Sequence, residues 1–434
     1  MDARAPTRAA LARIARLDPG LRSMVHVDEA AALREASDRA DALARGEAPG
    51  VLHGVPLAIK DVLDVAGMPT RANSRLFAEA GPALRDSAVV ARLRAAGAVI
   101  VGKAHCWELS VGGPSTEPPC PPARNPWDPA REPGGSSSGP GAAVGAALVP
   151  VAIGGDTGGS IRLPASACGV VGFKPSHGLV PMDGALPFAA SLDVVGPLVR
   201  DARDAALVHG VISGTGIQAH APTRGLRIGI PVALLDRAPP APDMAARLED
   251  CIAALRRAGH AVEPVVLPAA ELFNACYFLV ARTEAHARWR DALRGTGERM
   301  GSIARRSLAI GTFIDAEDAA RAARVRTALR AGFDALFARI DLLCLPTMPG
   351  EAGPLDPGDA VTRPDTAPYT RPFSLVGAPA ISMPCGRGTG GLPLGVQFVG
   401  ARGADARLLA FACALEEDPA WPWRAELPEG FAWN

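Results

Sequence analysis

The segment GGDTGGSIRLPASACG, from Gly154 to Gly169, decides the expected fold of this chain. It follows the apolar run VPVAI and precedes VVGFKPS, so it predicts a strand, a tight loop and a short helix, with Ser160 at the turn. A glycine-rich turn of this kind exposes backbone N–H groups beside a hydroxyl. That arrangement is the one that acyl-transfer chemistry requires.

The composition is that of a globular chain with a neutral charge balance. The chain has 434 residues, 48% of them hydrophobic, which is enough for a sizeable core. Lysine plus arginine number 45, as do aspartate plus glutamate, and no basic stripe with interleaved aromatic residues occurs. This balance argues against direct binding of nucleic acid.

Targeting signals and cysteine usage predict a cytoplasmic protein. The N-terminus lacks an apolar signal region, and the longest uncharged run, residues 133–155, is interrupted by a Gly/Ser loop and Pro150, so no membrane span is expected. The eight cysteines form no C-x-x-C pair and no His/Cys cluster with metal-ligand spacing. We therefore expect reduced thiols and neither a metal nor a cofactor. The preference for arginine over lysine is typical of a GC-rich, bacterial genome.

Predicted helices and strands alternate along the chain. Helices are predicted over about residues 8–17, where Pro19 stops the helix, and over 28–45. The stretch DSAVVARLRAAGAVIVGKA predicts a helix that ends at Gly97 and a strand after it, and the same order recurs around Gly259. This alternation argues for an α/β fold with a mixed or largely parallel sheet.

Two stretches interrupt this pattern. Residues 115–135 are dense in proline and are predicted to form a surface loop, and residues 215–223 are predicted to be irregular. The segment over about 215–340 is rich in helices, but no linker separates it from the rest. We therefore expect one domain over residues 1–434.

Lysine is rare enough in this chain for each one to be considered separately. Lys60, Lys103 and Lys174 are the three that occur. A side chain that acts as a base at working pH has to be lysine rather than arginine, because arginine keeps its proton. Lys60 ends an apolar strand and is the candidate base. Lys103 is expected at the surface, and Lys174, which precedes a proline, in a structural turn.

A long block of the sequence resembles the amidase signature family. The block is PGGSSSGPGAAVGAALVPVAIGGDTGGSIRLPASACGVVGFKPSHGLVP, and the pieces HGVPLAIKD, NPWDPAREPGGSSSG and FSLVGAPAISMPCG are also similar to the family. The resemblance implies a central mixed β-sheet covered on both sides by α-helices. It places the catalytic core at about residues 30–210 and 340–415, with the substrate pocket in the helix-rich region of about 215–340.

The same resemblance implies a Ser–cisSer–Lys triad. Ser160 would be the acyl nucleophile and Lys60 the base. Ser136, joined to Gly135 by a cis peptide bond, would be the bridging serine.

The loop around the nucleophile is expected to bind the oxyanion. The expected donors are the backbone N–H groups of four consecutive residues, Thr157, Gly158, Gly159 and Ser160. Asp156 and Arg162 flank this loop and are expected to pair and hold its shape.

Other chemistries fit the residues less well. A phosphate-binding P-loop needs the spacing G-x-x-x-x-G-K-[ST], and no lysine follows GGDTGGS in that way. The histidines lie in no motif, and His105 and His177 are expected to line loops. Cys168 lies in an apolar run and is expected to pack in the core. An inactive scaffold is disfavoured because all three triad residues are present.

The sequence leaves three substrate hypotheses open. The first is hydrolysis of a small aliphatic or aryl amide, or of a carbamate (urethane), by a stand-alone enzyme. The second is hydrolysis of a urea-like compound such as carboxybiuret or allophanate. The third is a subunit of a tRNA-dependent amidotransferase, which passes ammonia from glutamine to an aminoacyl-tRNA. The first is preferred because the chain is compact and has no basic surface signal. A homodimer and a requirement for partner subunits both stay open.

The residues that choose the substrate are expected in the helix-rich region and in the loops at 105–130 and 345–372. The aromatic and aliphatic candidates are Phe273, Tyr277, Phe278, Trp289, Ile310 and Phe313. For each of them, packing on the sheet is the more frequent role. A carboxylate on the substrate would need an arginine in the pocket, and this region offers too many arginines to choose among.

Overall fold

The computed structural model describes residues 2–216, 223–356 and 364–431. Residues 217–222 of the predicted irregular stretch lie outside the described part of the chain, as do residues 357–363 of the loop at 345–372.

A mixed β-sheet forms the centre of the fold. In the described residues its strands are β1 (Met24–Val27), β2 (Pro56–Lys60), β3 (Val99–Ala104), β4 (Val151–Asp156), β5 (Val171–Lys174), β6 (Val194–Val199), β7 (Arg227–Pro231), β8 (Ala261–Val265), β9 (Leu342–Pro346), β10 (Ala380–Arg387) and β11 (Pro393–Gly400). Their spatial order is β1-β3-β2-β4-β6-β5-β10-β11-β9-β7-β8. Strand β2 runs parallel to β3 and β4, whereas β6 joins β4 and β5 antiparallel.

Helices connect these strands. They are α1 (Arg4–Leu21), α2 (Glu29–Ala44), α3 (Ala88–Ala95), α4 (Ser138–Gly145), α5 (Arg162–Cys168), α6 (Ala202–Ser213), α7 (Val232–Arg237), α8 (Pro242–Arg257), α9 (Leu272–Thr296), α10 (Ser302–Ala309), α11 (Ala316–Leu336), α12 (Arg371–Val376) and α13 (Asp405–Glu417). Among the described helices, none is both long and apolar enough to cross a membrane.

The helices cover both faces of the sheet, because alternate strand residues point into different cores. In β2, Leu57 and Ile59 belong to one buried cluster, which also holds apolar residues of α3, α6, α8, α9 and α11. Ala58, between them, belongs to the other cluster, with apolar residues of α1, α2, α4 and α5. This alternation is the period of a strand buried on both sides. The expected fold class is confirmed.

The first helix is longer than the sequence predicts. Helix α1 continues through Pro19 to Leu21, so the expectation that Pro19 stops it is wrong. A proline in the last turn removes a single intrahelical hydrogen bond. The Asp18 carboxylate instead organises the exit of the chain, because it accepts the Ser23 N–H at 2.8 Å and the Met24 N–H at 3.2 Å. The second helix agrees with its prediction, and Asp28 accepts the Ala31 N–H at its start.

The proline-rich stretch at 115–135 is irregular but is not entirely at the surface. Asn125 and Glu132 are buried within it. The Asn125 side-chain amide donates to the Glu132 carbonyl at 3.0 Å and to the Ala167 carbonyl at 2.9 Å. A buried amide with two partners fixes this part of the loop against the start of the strand that follows α5.

Candidate active site

The candidate site lies where two neighbouring parallel strands end. Lys60 is the last residue of β2, and Asp156 is the last residue of β4. Because β2 and β4 are parallel, both carboxyl ends open at the same edge of the sheet. Ser160 follows β4 in the loop that leads into α5, so the fold brings Lys60 and Ser160 to one edge although 100 positions separate them in the sequence.

Lys60 contacts Ser136 in the interior of the protein. The Lys60 Nζ donates a hydrogen bond to the Ser136 Oγ at 2.8 Å, and both residues are buried. The Gly135–Ser136 peptide bond is cis, as the resemblance implies. The Trp107 N–H donates to the Ser136 carbonyl at 3.1 Å and holds the backbone at this point.

Position 135 has to be glycine because an indole ring lies against it. A Cβ at Gly135 would stand 2.1 Å from the Trp107 Cε2, well inside van der Waals contact. Trp107 therefore supports the loop that carries Ser136, a role for which the sequence offers no motif.

Ser137 ties the same loop to β4. Its Oγ donates to the Gly155 carbonyl at 3.0 Å and accepts the Gly155 N–H at 3.2 Å. Its own N–H donates to the Ser160 carbonyl at 3.2 Å. The Ser136 loop and the Ser160 loop are therefore held side by side, with Lys60 behind them and Ser160 partly exposed in front.

Burial changes the protonation of Lys60. Removal of the ammonium from water lowers the pKa of Lys60 from 10.5 to about 8, and the nearby carboxylates of Asp193 and Asp156 oppose this drop. About one Lys60 in ten is therefore neutral at pH 7, and the neutral amine can accept a proton.

Asp156 shapes the loop around Ser160. Its carboxylate accepts the Gly159 N–H at 2.7 Å and the Ile161 N–H at 3.2 Å, and it forms a buried ion pair with Arg162 at 3.0 Å. Burial alone would raise the pKa of Asp156, but the Arg162 guanidinium outweighs burial and the net shift is downward. The predicted pairing of Asp156 with Arg162 is confirmed.

The Gly159 N–H, one of the four expected oxyanion donors, is already directed at Asp156. Gly159 has a φ of +136°, a backbone conformation that favours glycine, and a Cβ there would lie 2.4 Å from the Thr370 Oγ1. The Thr370 hydroxyl donates to the Gly158 carbonyl at 2.6 Å and fixes the peptide before it. This bracing leaves Gly159 better suited to holding the loop than to binding an oxyanion.

A second carboxylate, Asp193, lies beside the site and has no signal in the sequence. It accepts the Thr157 hydroxyl at 2.5 Å and the N–H groups of Phe188 and Ala189 at 2.8 and 3.0 Å. Burial raises the pKa of Asp193 to about 6. It reaches Thr157 because the next residue, Val194, pairs with Asp156 across the β4–β6 ladder.

A cavity of about 370 Å³ opens beside Ser160. Trp107 and Leu163 lie near its base, and helix α9 contributes Tyr277 and Phe278 to one wall. Tyr277 stands directly over the nucleophile loop, since a Cβ at Gly158 would lie 2.3 Å from its hydroxyl oxygen. The site therefore combines a partly exposed serine with an aromatic pocket of small-molecule size.

The six pocket candidates divide into three pairs. Tyr277 and Phe278 line the cavity. Phe273 and Trp289 are buried in the core. Ile310 and Phe313 are 48% and 86% exposed, so the expectation that they line a pocket or pack on the sheet is wrong. They lie in a one-turn 3-10 helix after α10, which leaves their side chains toward solvent.

The other two lysines are buried, which the sequence does not indicate. Lys103, expected at the surface, is fully buried in β3 and forms an ion pair with Asp61 at 3.0 Å. The carboxylate that makes this burial tolerable follows Lys60 in the neighbouring strand. Lys174 ends β5, and its Nζ donates to the Pro175 carbonyl at 2.8 Å.

The histidines and Cys168 occupy structural positions. The His105 Nδ1 lies 2.9 Å from the Ser138 Oγ, and burial lowers the pKa of His105 to about 4. The His177 Nε2 lies 3.0 Å from the Ala190 carbonyl. Neither is among the described residues that line the cavity. Cys168 is buried in the core, as expected.

Replacing Ser136 with alanine should lower kcat/KM by about 10²–10⁴-fold, because the hydroxyl between Lys60 and the nucleophile is lost. The loss should be smaller than that from removing the nucleophile, since a water can occupy the vacated position. Steady-state kinetics with unchanged thermal unfolding would establish this effect. A wild-type rate would remove Ser136 from the proton relay.

Comparison with known proteins gives concordant matches over nearly the whole chain. The family model described as Amidase matches residues 5–409. A glutamyl-tRNA(Gln) amidotransferase subunit from Chloroflexus aggregans is 36% identical over 461 residues, which cover 96% of this chain and 93% of that protein.

Two solved structures are also similar. One comes from work on a vestigial protein complex that reveals the evolutionary origins of an s-triazine catabolic enzyme. It is 32% identical, with a TM-score of 0.89 and coverage of 96% of this chain and 95% of that chain. The other, described as an amidase, is 34% identical with a TM-score of 0.88, covering 96% of both chains.

Proposed function

The chain belongs to the amidase signature family, and from this premise we propose that Ser160 hydrolyses the C–N bond of a small amide through an acyl-enzyme. The observation that carries the proposal is the 2.8 Å contact between the Lys60 Nζ and the Ser136 Oγ, on a loop that is hydrogen-bonded to the Ser160 carbonyl. A buried lysine with a lowered pKa, a serine and a second, accessible serine form a proton path from a nucleophile to a base.

The proposed reaction moves one proton along this path in each direction. Neutral Lys60 takes the proton of Ser136, and Ser136 takes the proton of Ser160 as its oxygen attacks the amide carbonyl. The N–H groups of Thr157, Gly158 and Ser160 stabilise the oxyanion, while Gly159 stays on Asp156. The proton then returns to the leaving nitrogen, and water hydrolyses the acyl-enzyme by the same relay.

The named relatives rank the three substrate hypotheses differently from the sequence. The relative from Chloroflexus aggregans is an amidotransferase subunit, which favours the third hypothesis over the stand-alone amidase or urethanase. We therefore propose the side-chain amide of glutamine as the first substrate to test, with ammonia as the released product. The structure associated with s-triazine catabolism keeps a urea-like compound as the second candidate.

A substrate panel tests the proposal directly. Wild type and Ser160→Ala are incubated with glutamine, a short aliphatic amide, biuret, an aryl anilide and an aryl carbamate, and ammonia or amine release and intact-protein mass are recorded. We expect release and an added acyl mass with the wild type alone. Release that persists in Ser160→Ala would overturn the proposed nucleophile.

The assembly separates the amidotransferase hypothesis from the stand-alone ones. An amidotransferase subunit should co-purify with partner chains and hydrolyse glutamine faster in their presence. A monomer or homodimer that turns over simple amides at full rate would instead support a stand-alone hydrolase.

A further inference from the structure

Arg282 brings a positive charge into the wall of the cavity that holds Ser160. Helix α9 directs Tyr277, Phe278, Ala281 and Arg282 at this cavity. These positions are spaced as neighbours on one helical face. Tyr277 stands over Gly158, so the face that carries Arg282 is the one that meets the nucleophile loop.

The guanidinium of Arg282 is buried without a hydrogen-bond partner. Its Nε and Nη1 are inaccessible to solvent and donate to no atom of the described chain. Its planar group lies 5.9 Å from the ring centres of both Phe188 and Phe278. Aromatic faces attract a cation but accept no conventional hydrogen bond from it, so these N–H groups stay unsatisfied. Burial lowers the pKa of Arg282, the direction expected for a cation without a counter-ion.

Other buried arginines show how this protein usually satisfies the group. Arg162 pairs with Asp156 and also donates to the Gln397 side chain at 3.0 Å. Arg326 donates to the Leu375 carbonyl at 2.9 Å and to Ser191. Arg282 differs from both, and it is the one that faces the cavity.

The second arginine of the cavity already has its own counter-ion. Arg371 holds Asp365 with two hydrogen bonds of 2.6 Å and lies 4.5 Å from the centre of the Phe278 ring. The cavity wall therefore carries two guanidinium groups and one carboxylate from Asp365. Its net positive charge belongs to Arg282, and no acidic side chain in the described chain forms an ion pair with that group.

We propose that Arg282 binds a carboxylate of the substrate, so that the scissile amide belongs to a molecule with a second, anionic end. This inference rests on the proposed function and narrows its substrate class to amides of carboxylic acids that retain a free carboxylate. A carboxylate matches the fork of the guanidinium and accepts two parallel N–H bonds. It would satisfy the buried donors that no protein group satisfies.

The anionic end also provides discrimination. A neutral substrate of the same size would leave the Arg282 donors unpaired in a pocket walled by aromatic rings. A site built in this way rejects the analogue that lacks the matching group far more strongly than a hydrophobic pocket rejects a shorter chain. Glutamine satisfies the requirement, as do the monoamides of short dicarboxylic acids.

Matched pairs of amides test the inference. Succinamate is compared with butanamide, and glutaramate with pentanamide, since each pair differs in a carboxylate against a methyl group. With the wild type we expect kcat/KM for the carboxylate member to exceed that of its partner by about 30-fold or more. Arg282→Gln should remove most of this preference without reducing turnover of the neutral member. Arg294→Gln, an exposed arginine near the end of the same helix, should keep it.

A binding measurement separates failure of this inference from failure of the proposed function. In Ser160→Ala, titration calorimetry should show that succinamate or glutaramate binds more tightly than its neutral partner, and that adding Arg282→Gln abolishes the difference. Arg282→Lys, which keeps the charge but loses the fork, should retain part of it if Arg282→Gln does not fold. Equal binding of both members would overturn the inference even if the amides are hydrolysed. Carboxylate-dependent binding without any hydrolysis would support it and count against the proposed amidase activity.

Discussion

Replacing Ser160 with alanine is expected to lower kcat/KM by at least about 10⁴-fold, to the limit of detection in ordinary assays. The covalent intermediate requires an oxygen at this position. None of the other hydroxyls of the relay can supply it, because Ser136 is buried behind the loop. The residual rate would come from binding and oxyanion stabilisation alone.

The fold should survive this change. The structural contact of Ser160 is made by its backbone carbonyl, which accepts the Ser137 N–H at 3.2 Å and is kept in alanine. The thermal unfolding midpoint should therefore stay within a degree or two of the wild type. Ser160→Ala should also bind substrate without acylation, so intact-protein mass gives a yes-or-no result. An acyl adduct on the alanine variant would assign the nucleophile to another residue.

The parts of the site that can be predicted from the sequence are contiguous motifs. Lys60, Ser136 and Ser160 each lie in a recognisable local pattern at the end of a strand or the start of a helix. Parallel pairing of β2 and β4 then brings two of these patterns to one edge of the sheet. The family resemblance supplies their roles, which local patterns alone do not distinguish from those of ordinary loops.

The parts that cannot be predicted depend on contacts between distant segments. Asp193 reaches the site through the antiparallel β4–β6 pairing, and Trp107 through its packing on Gly135. Arg282 is one of many arginines in a helical region, and only the packing of α9 against the nucleophile loop distinguishes it. The surface position expected for Lys103 is wrong for the same reason, since its counter-ion Asp61 belongs to a neighbouring segment.

Two carboxylates with opposite pKa shifts surround the candidate base. Arg162 keeps Asp156 ionised, whereas burial raises the pKa of Asp193 to about 6. Both are expected to be ionised above that pH, and both favour the charged form of Lys60. Burial of Lys60 opposes them and prevails, which leaves the amine close enough to neutrality to work as a base at mildly alkaline pH.

The largest effect outside the nucleophile is expected at Lys60. Lys60→Ala and Lys60→Met should each lower kcat/KM by about 10³-fold or more, because Ser136 loses its proton acceptor. Lys60→Arg should not restore activity, since arginine keeps its proton at any working pH. A merely structural cation at this position would be replaced at least in part by arginine, so the arginine variant separates a base from a positive charge.

The pH dependence of the wild type provides the complementary test. Lys60 is active when neutral, so kcat/KM should be low below its pKa of about 8 and should rise as pH increases through that value. Between about pH 7 and pH 9 the neutral fraction, and with it kcat/KM, should increase about tenfold. Lys174 is a possible source of confusion, because burial lowers its pKa to about 7. Lys174→Met should therefore keep the midpoint near pH 8. A profile that stays flat across this range in the wild type, or a midpoint lost in Lys174→Met, would show that Lys60 does not supply the base.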